Sequence, residues 1–166
     1  MNRYLCVIVF FFAALALFAC ENNGAADEKT VGKDILSDDI AEFVYTYSNI
    51  NYNAFYQRYR FFEEDGKHMF FHETRERKND YGSTTEEDTV SSGVFELTDE
   101  QWNDFYSAIC QGTVKTRNDS AESGASGPWI YIYIKNEGLQ KEYSFDSSAA
   151  ETDFENLCKS LAQNEN

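Results

Sequence analysis

The chain predicts an α+β fold: an antiparallel sheet of about 5–6 strands with two amphipathic helices on one face, β-rich in its N-terminal part and then running helix, hairpin, helix. Three observations predict it. Short runs alternate aromatic or branched residues with others, two pairs of runs are joined by Gly-containing turns, and two later segments repeat apolar residues at helical spacing behind a Ser or Thr. The 14 Phe, 11 Tyr and 2 Trp among 166 residues supply the core of one domain.

Residues 43–47 (FVYTY) alternate as a half-buried strand does, with 38–43 open to an initial helical turn. Residues 55–62 and 68–75 then flank Glu64-Asp65-Gly66-Lys67, and Asp-Gly suits the two-residue turn that needs positive φ at both positions. Counting outward from that turn pairs Phe62 with Met69, Phe61 with Phe70, Arg60 with Phe71, Tyr59 with His72 and Arg58 with Glu73. One face of this hairpin carries Phe55, Tyr59, Phe61, Phe70 and His72 and is expected to meet the core. The other carries Tyr56, Arg58, Arg60, Glu73, Arg75 and Arg77 and is expected to meet solvent.

After a polar loop over 78–88, residues 90–97 predict another strand. Thr98 and Gln101 form a capping box, and Trp102, Phe105, Tyr106, Ile109 and Cys110 share one side of a helix that Gly112 is expected to end. Residues 112–127, rich in Asn, Asp, Ser and Gly, read as a long mobile loop. A second hairpin follows, 129–135 (WIYIYIK) and 139–145 around Asn136-Glu137-Gly138. Ser148 and Glu151 read as a second capping box, before Phe154, Leu157, Cys158 and Leu161.

Ahead of this domain, residues 4–19 are uninterrupted apolar and aromatic side chains behind Arg3, the charge order of an export signal. The polar Glu21, Asn22 and Asn23 follow Cys20 directly, which disfavours a permanent span. The stretch Leu17-Phe18-Ala19-Cys20 resembles the lipobox of bacterial lipoproteins, with Phe18 larger than that pattern usually has. The resemblance implies lipidation of Cys20 and removal of residues 1–19, and several acyl chains would anchor stably, at about 0.8 kcal/mol per buried methylene. The competing reading is an ordinary secretory signal cut after Ala14-Leu15-Ala16. Residues 20–34 are then a lipidated cysteine and flexible tether, and 35–166 the globular domain. The aromatic strands, the Asp-Gly hairpin and the capped helix make residues 40–162 similar to small domains of unknown function in bacterial lipoproteins, a likeness that implies no activity.

The formal charge of -15 argues against nucleic acid and against attraction to anionic headgroups. No HExxH, CxxC, Walker loop or GxSxG is present, so no catalytic residue, metal or cofactor is assigned. His68 and His72 stand on one face of a strand but roughly 13 Å apart, too far to share a metal, which leaves His72 as a core-edge partner of Tyr59. Ser126 lacks the strand-to-helix turn of an activated serine, and residues 118–122 lack the ligand spacing of a calcium loop. Asp119-Ser120-Ala121 and Asp88-Thr89-Val90 resemble the O-glycosylation sites of one bacterial phylum.

Cys110 and Cys158 occupy corresponding late positions on the two helices, and export permits oxidation, so a disulfide between them is expected; two buried thiols are the alternative. The remaining feature is the outward hairpin face. Six of the 14 basic residues lie between Arg58 and Lys78, a basic island in an acidic chain. If Ile130, Ile132 and Ile134 meet the helices, Trp129, Tyr131 and Tyr133 emerge on the arginine side. Tyr56, Arg58, Arg60, Arg75, Arg77, Trp129, Tyr131 and Tyr133 therefore form the candidate binding face, suited to carboxylates, sugars or an acidic protein surface. The competing reading is a solvated face on which Arg58 pairs with Glu73. Three roles follow for a domain held to the cell envelope by lipid: a non-catalytic module for a protein or glycan ligand, a small hydrolase using carboxylates, or a structural accessory of an envelope complex. On the first the protein is not an enzyme. The domain would lie outside the cytoplasm, at the outer membrane or cell surface of a cell with two membranes.

Overall fold

Asp65 and Gly66 adopt φ of 51° and 75°, the left-handed pair that folds β2 (Phe55–Glu64) back onto β3 (Lys67–Glu76). Every pairing counted outward from that turn is present, from Phe62 with Met69 to Arg58 with Glu73. The structure, a computed structural model, describes residues 28–49, 55–78, 82–117, 128–137 and 140–163. Its other strands are β1 (Ile40–Asn49), β4 (Thr89–Glu96), β5 (Lys115–Thr116), β6 (Trp129–Ile134) and β7 (Gln140–Ser144), and its helices are α1 (Asp99–Gln111) and α2 (Ser148–Gln163). The fold is α+β, with one antiparallel sheet in the order β4-β3-β2-β1-β6-β7-β5.

Period-two alternation sends Phe43 and Tyr45 of β1, Tyr59 and Phe61 of β2, Phe70 of β3 and Ile130 and Ile132 of β6 to the buried face. Both helices lie on that face. Phe105 of α1 stacks on Phe61 with centroids 3.9 Å apart, and Phe154 of α2 meets Phe43 and Tyr45 at 5.4 Å each. Burial of each such side chain contributes roughly 1.5–3 kcal/mol, and ring geometry about 0.5–1.5 kcal/mol more. The opposite face of the sheet is left uncovered by either helix. At the outer edge, a register shift between Thr74 and Arg75 leaves Val90 of β4 as the unpaired residue, a bulge of the kind that blunts an edge strand.

Several expectations are corrected by packing between distant segments. The described residues form seven strands, one more than the upper end of the expected five or six, because Lys115 and Thr116, inside the stretch read as a loop, pair with Ser144 and Tyr143 of β7. Two residues are too few to show a period. Val114 beside them is fully buried, and Val31, within the expected tether, is also buried and donates its amide to the Val114 carbonyl at 2.8 Å. The packed chain therefore begins before Ile35. Thr98 and Gln101 form the expected capping box, whereas α2 is capped by Ser147, whose hydroxyl accepts from the Ala150 amide at 3.2 Å. Gly112 ends α1 at φ -71°, and the left-handed residue is Thr113 at φ 47°. Cys110 and Cys158, the two cysteines of the expected disulfide, are free thiols in this structure, the Cys110 sulfur against Gly32 and Cys158 buried on the side of Tyr59. The leader, Cys20, Ser126, residues 118–122 and the Asp119-Ser120-Ala121 motif fall outside the described residues.

Candidate functional site

The open face is laid out by two registers that share β1. Thr46 stands between Arg58 of β2 and Trp129 of β6, and Val44 between Arg60 and Tyr131. The two hairpins are thereby placed on either side of one strand. Since the isoleucines of β6 turn inward, Trp129, Tyr131 and Tyr133 emerge on the arginine side, as their spacing requires. Thr46, Tyr56, Arg58, Trp129 and Tyr131 line a shallow groove of about 370 Å³.

The arginines of this face differ in their partners. Arg60 holds Glu42 at 2.5 Å and lies over the rings of Phe62 and Phe71. Arg75 holds Glu73 at 2.7 Å, so the carboxylate opposite Arg58 in the register is turned to the neighbouring arginine. Arg77, just past the end of β3, donates to the Gly82 carbonyl at 2.9 Å. Arg58 alone among the four makes no ion pair or backbone hydrogen bond with a described residue; its guanidinium lies 5.6 Å from the Tyr56 centroid, and its Nε is buried without a hydrogen-bond partner. A partly desolvated charge without a counter-ion is costly, and an unsatisfied buried donor costs about 1–3 kcal/mol. This cation, which Tyr56 contacts but no carboxylate among the described residues pairs with, lies in the groove.

Tyr56 is held from two sides, since Arg75 also lies 4.9 Å from its ring centroid. Burial raises its phenol above the ordinary value against the opposing pull of both guanidiniums, so it remains a neutral hydroxyl. Across the groove, Trp129 carries the Arg117 guanidinium at 5.6 Å, and Arg117 contacts Glu142 at 3.2 Å. The groove thus unites Tyr56, Arg58, Trp129 and Tyr131 of the expected face. Arg60, Arg75 and Tyr133 share that face without lining the groove, and Arg77 leaves it. Thr46 and Arg117 were missed: Thr46 is a lone outward hydroxyl whose neighbours depend on strand order, and Arg117 lies in the stretch read as a loop.

A second cleft, of about 530 Å³, opens on the helical side between the sheet and α2, where Tyr47, Phe55, Gln57, Tyr59, Glu155 and Lys159 line it. Among the described residues Glu155 is the one carboxylate lining it. It accepts from the Tyr45 hydroxyl at 2.6 Å, and Glu151, one turn earlier, stands 2.9 Å from the same hydroxyl. His72 is buried opposite Tyr59, and His68 stacks on Trp102 at 4.0 Å. Among the described residues no group of three His, Cys, Asp or Glu side chains is placed to hold a metal. Thr89 of the Asp88-Thr89-Val90 motif is half-buried, its hydroxyl 3.4 Å from Glu73, while Asp88 accepts from the Thr85 and Lys78 amides.

Also among the described residues, no helix is long and apolar enough to cross a membrane. In comparisons with known proteins, no family model, no curated protein and no solved structure matches this chain, so its site rests on its own geometry.

Proposed function

We propose that this chain is a non-catalytic binding module of a bacterial cell envelope, held to a membrane by lipid on Cys20, whose open sheet face captures an anionic ligand. The anchor reading is supported by the apolar leader that ends at Cys20. The binding reading is carried by Arg58. No carboxylate among the described residues pairs with it, its Nε is buried without a hydrogen-bond partner there, and it stands in a groove with aromatic walls rather than on a flat polar surface. Guanidinium beside aromatic rings suits bidentate carboxylate recognition with stacking.

The full chain, reconstituted in liposomes and exposed to solubilised envelope fractions, is expected to retain a component that raised salt releases. Arg58→Ser is expected to abolish that retention. Because Arg58 has no carboxylate partner to strand among the described residues, its melting temperature is expected to stay within about 2 °C of the parent or to rise. Undiminished capture by Arg58→Ser removes this face as the functional surface, and so does loss of the fold.

A further inference from the structure

We infer that the groove takes a sugar carrying a carboxylate directly on its ring, a uronic acid unit, with the carboxylate on Arg58 and the ring against Trp129 and Tyr131. This rests on the binding reading above and narrows its ligand. The width of the groove is the first reason. Arg58 and Trp129 both neighbour Thr46, so their strands lie two spacings apart, roughly 9–10 Å. Side chains that flank one shared neighbour on the same face reach one short ligand together, a carboxylate at about 2.8 Å from the guanidinium and a ring at about 4 Å from the aromatic wall. A carboxylate one bond from a six-membered ring presents both groups to the two walls at once.

The lining is the second reason. Thr46, Tyr56 and Tyr131 bring hydroxyl groups, Tyr56, Trp129 and Tyr131 bring aromatic faces, and no aliphatic side chain among the described residues lines the groove. Hydroxyls with flat rings match a polyhydroxylated ring, whereas an acidic peptide would leave those hydroxyls facing its apolar parts. A volume of about 370 Å³ is also at the small end of the roughly 300–1,000 Å³ typical of ligand sites, the scale of a monosaccharide unit. Charge is the third reason. One guanidinium without a carboxylate partner among the described residues balances one carboxylate, and a chain of net charge -15 opposes the approach of a densely charged polyanion.

Titration of the full chain in detergent, followed by tryptophan fluorescence, tests this with methyl glucuronide and methyl galacturonide. Methyl glucoside, acetate and a tetra-glutamate peptide serve as comparisons. At least one uronide is expected to give a saturable change that neither glucoside nor acetate produces at tenfold higher concentration. Trp129→Phe is expected to remove the signal, because Trp102 is buried on the other side of the sheet. Arg58→Lys, which keeps the charge and the aliphatic stem but loses the fork, is expected to weaken binding roughly tenfold or more with an unchanged circular dichroism spectrum. Equal responses to uronides and glucoside overturn the assignment, as does a tighter response to the acidic peptide. If Arg58-dependent capture of envelope material stands while both uronides fail, the sugar assignment falls and the binding reading survives.

Discussion

The hydroxyl of Tyr45 has one proton to donate and two carboxylates within reach, Glu155 at 2.6 Å and Glu151 at 2.9 Å. Both contacts can be hydrogen bonds at once if Glu151 is protonated and donates to the tyrosine oxygen. Burial, the largest influence on Glu151, raises its carboxyl above the ordinary 4.5, as does the Glu155 charge, while the Tyr45 contact opposes them. The folded state therefore disfavours the ionised form. The stability that this group supports is complete below its ordinary value and is lost as pH rises through the raised one. Glu151→Gln keeps a hydrogen-bonding group without a charge, so it is expected to be more stable than the parent near pH 8, by up to about 1 kcal/mol given partial exposure, with the advantage gone near pH 4. Urea melts across that range measure the difference, and a less stable variant at pH 8 refutes the protonated pair. Asp88 runs the opposite way. Backbone donors from Thr85 and Lys78 lower its carboxyl, so its contribution holds above its ordinary value and is lost as pH falls through the depressed one.

Among the elements, α1 shows how a local signal can be right for a different reason. Gly112 follows the last helical residue, as a C-terminal glycine should, yet its φ of -71° is open to any residue. The demand for glycine comes from elsewhere: a Cβ there would lie 2.7 Å from a ring carbon of Phe145, just after β7, and that ring packs against Phe154 of α2 at 5.4 Å. Gly112→Ala is expected to cost about 1–3 kcal/mol by overpacking. Thr113→Gly, at φ 47°, is expected to be neutral or stabilising by about 1 kcal/mol. Chemical denaturation separates the two, and an unperturbed Gly112→Ala contradicts the packing reason. The first hairpin, by contrast, was legible in full. Its turn residues and its alternation are contiguous, so every pairing follows from counting. The capping box of α1 was legible for the same reason, while at α2 Ser147 is the cap in place of Ser148 and Glu151 meets Tyr45 on β1.

For the whole molecule, the proposed address rests on Cys20 at the end of the apolar leader. Metabolic labelling with a fatty-acid analogue is expected to mark the parent chain and to leave Cys20→Ser unlabelled, as uncut precursor or released protein. Equal labelling of both refutes lipidation at that residue. Residue order alone determined the α+β class, the two helices, both hairpins, the inward isoleucines and the outward arginines, because period and turn chemistry act over a few neighbouring residues. Tertiary structure decided the rest. It inserted β1 between the two hairpins and so brought Thr46, Arg58 and Trp129 to one groove. It gave Glu73 to Arg75 rather than to Arg58, drew Val31 and Val114 into the core, and set Cys110 and Cys158 in separate surroundings. Each of these depends on which distant segments pair, and strand order is chosen by the joint burial of one sheet face beneath two helices, a condition no single stretch of sequence contains.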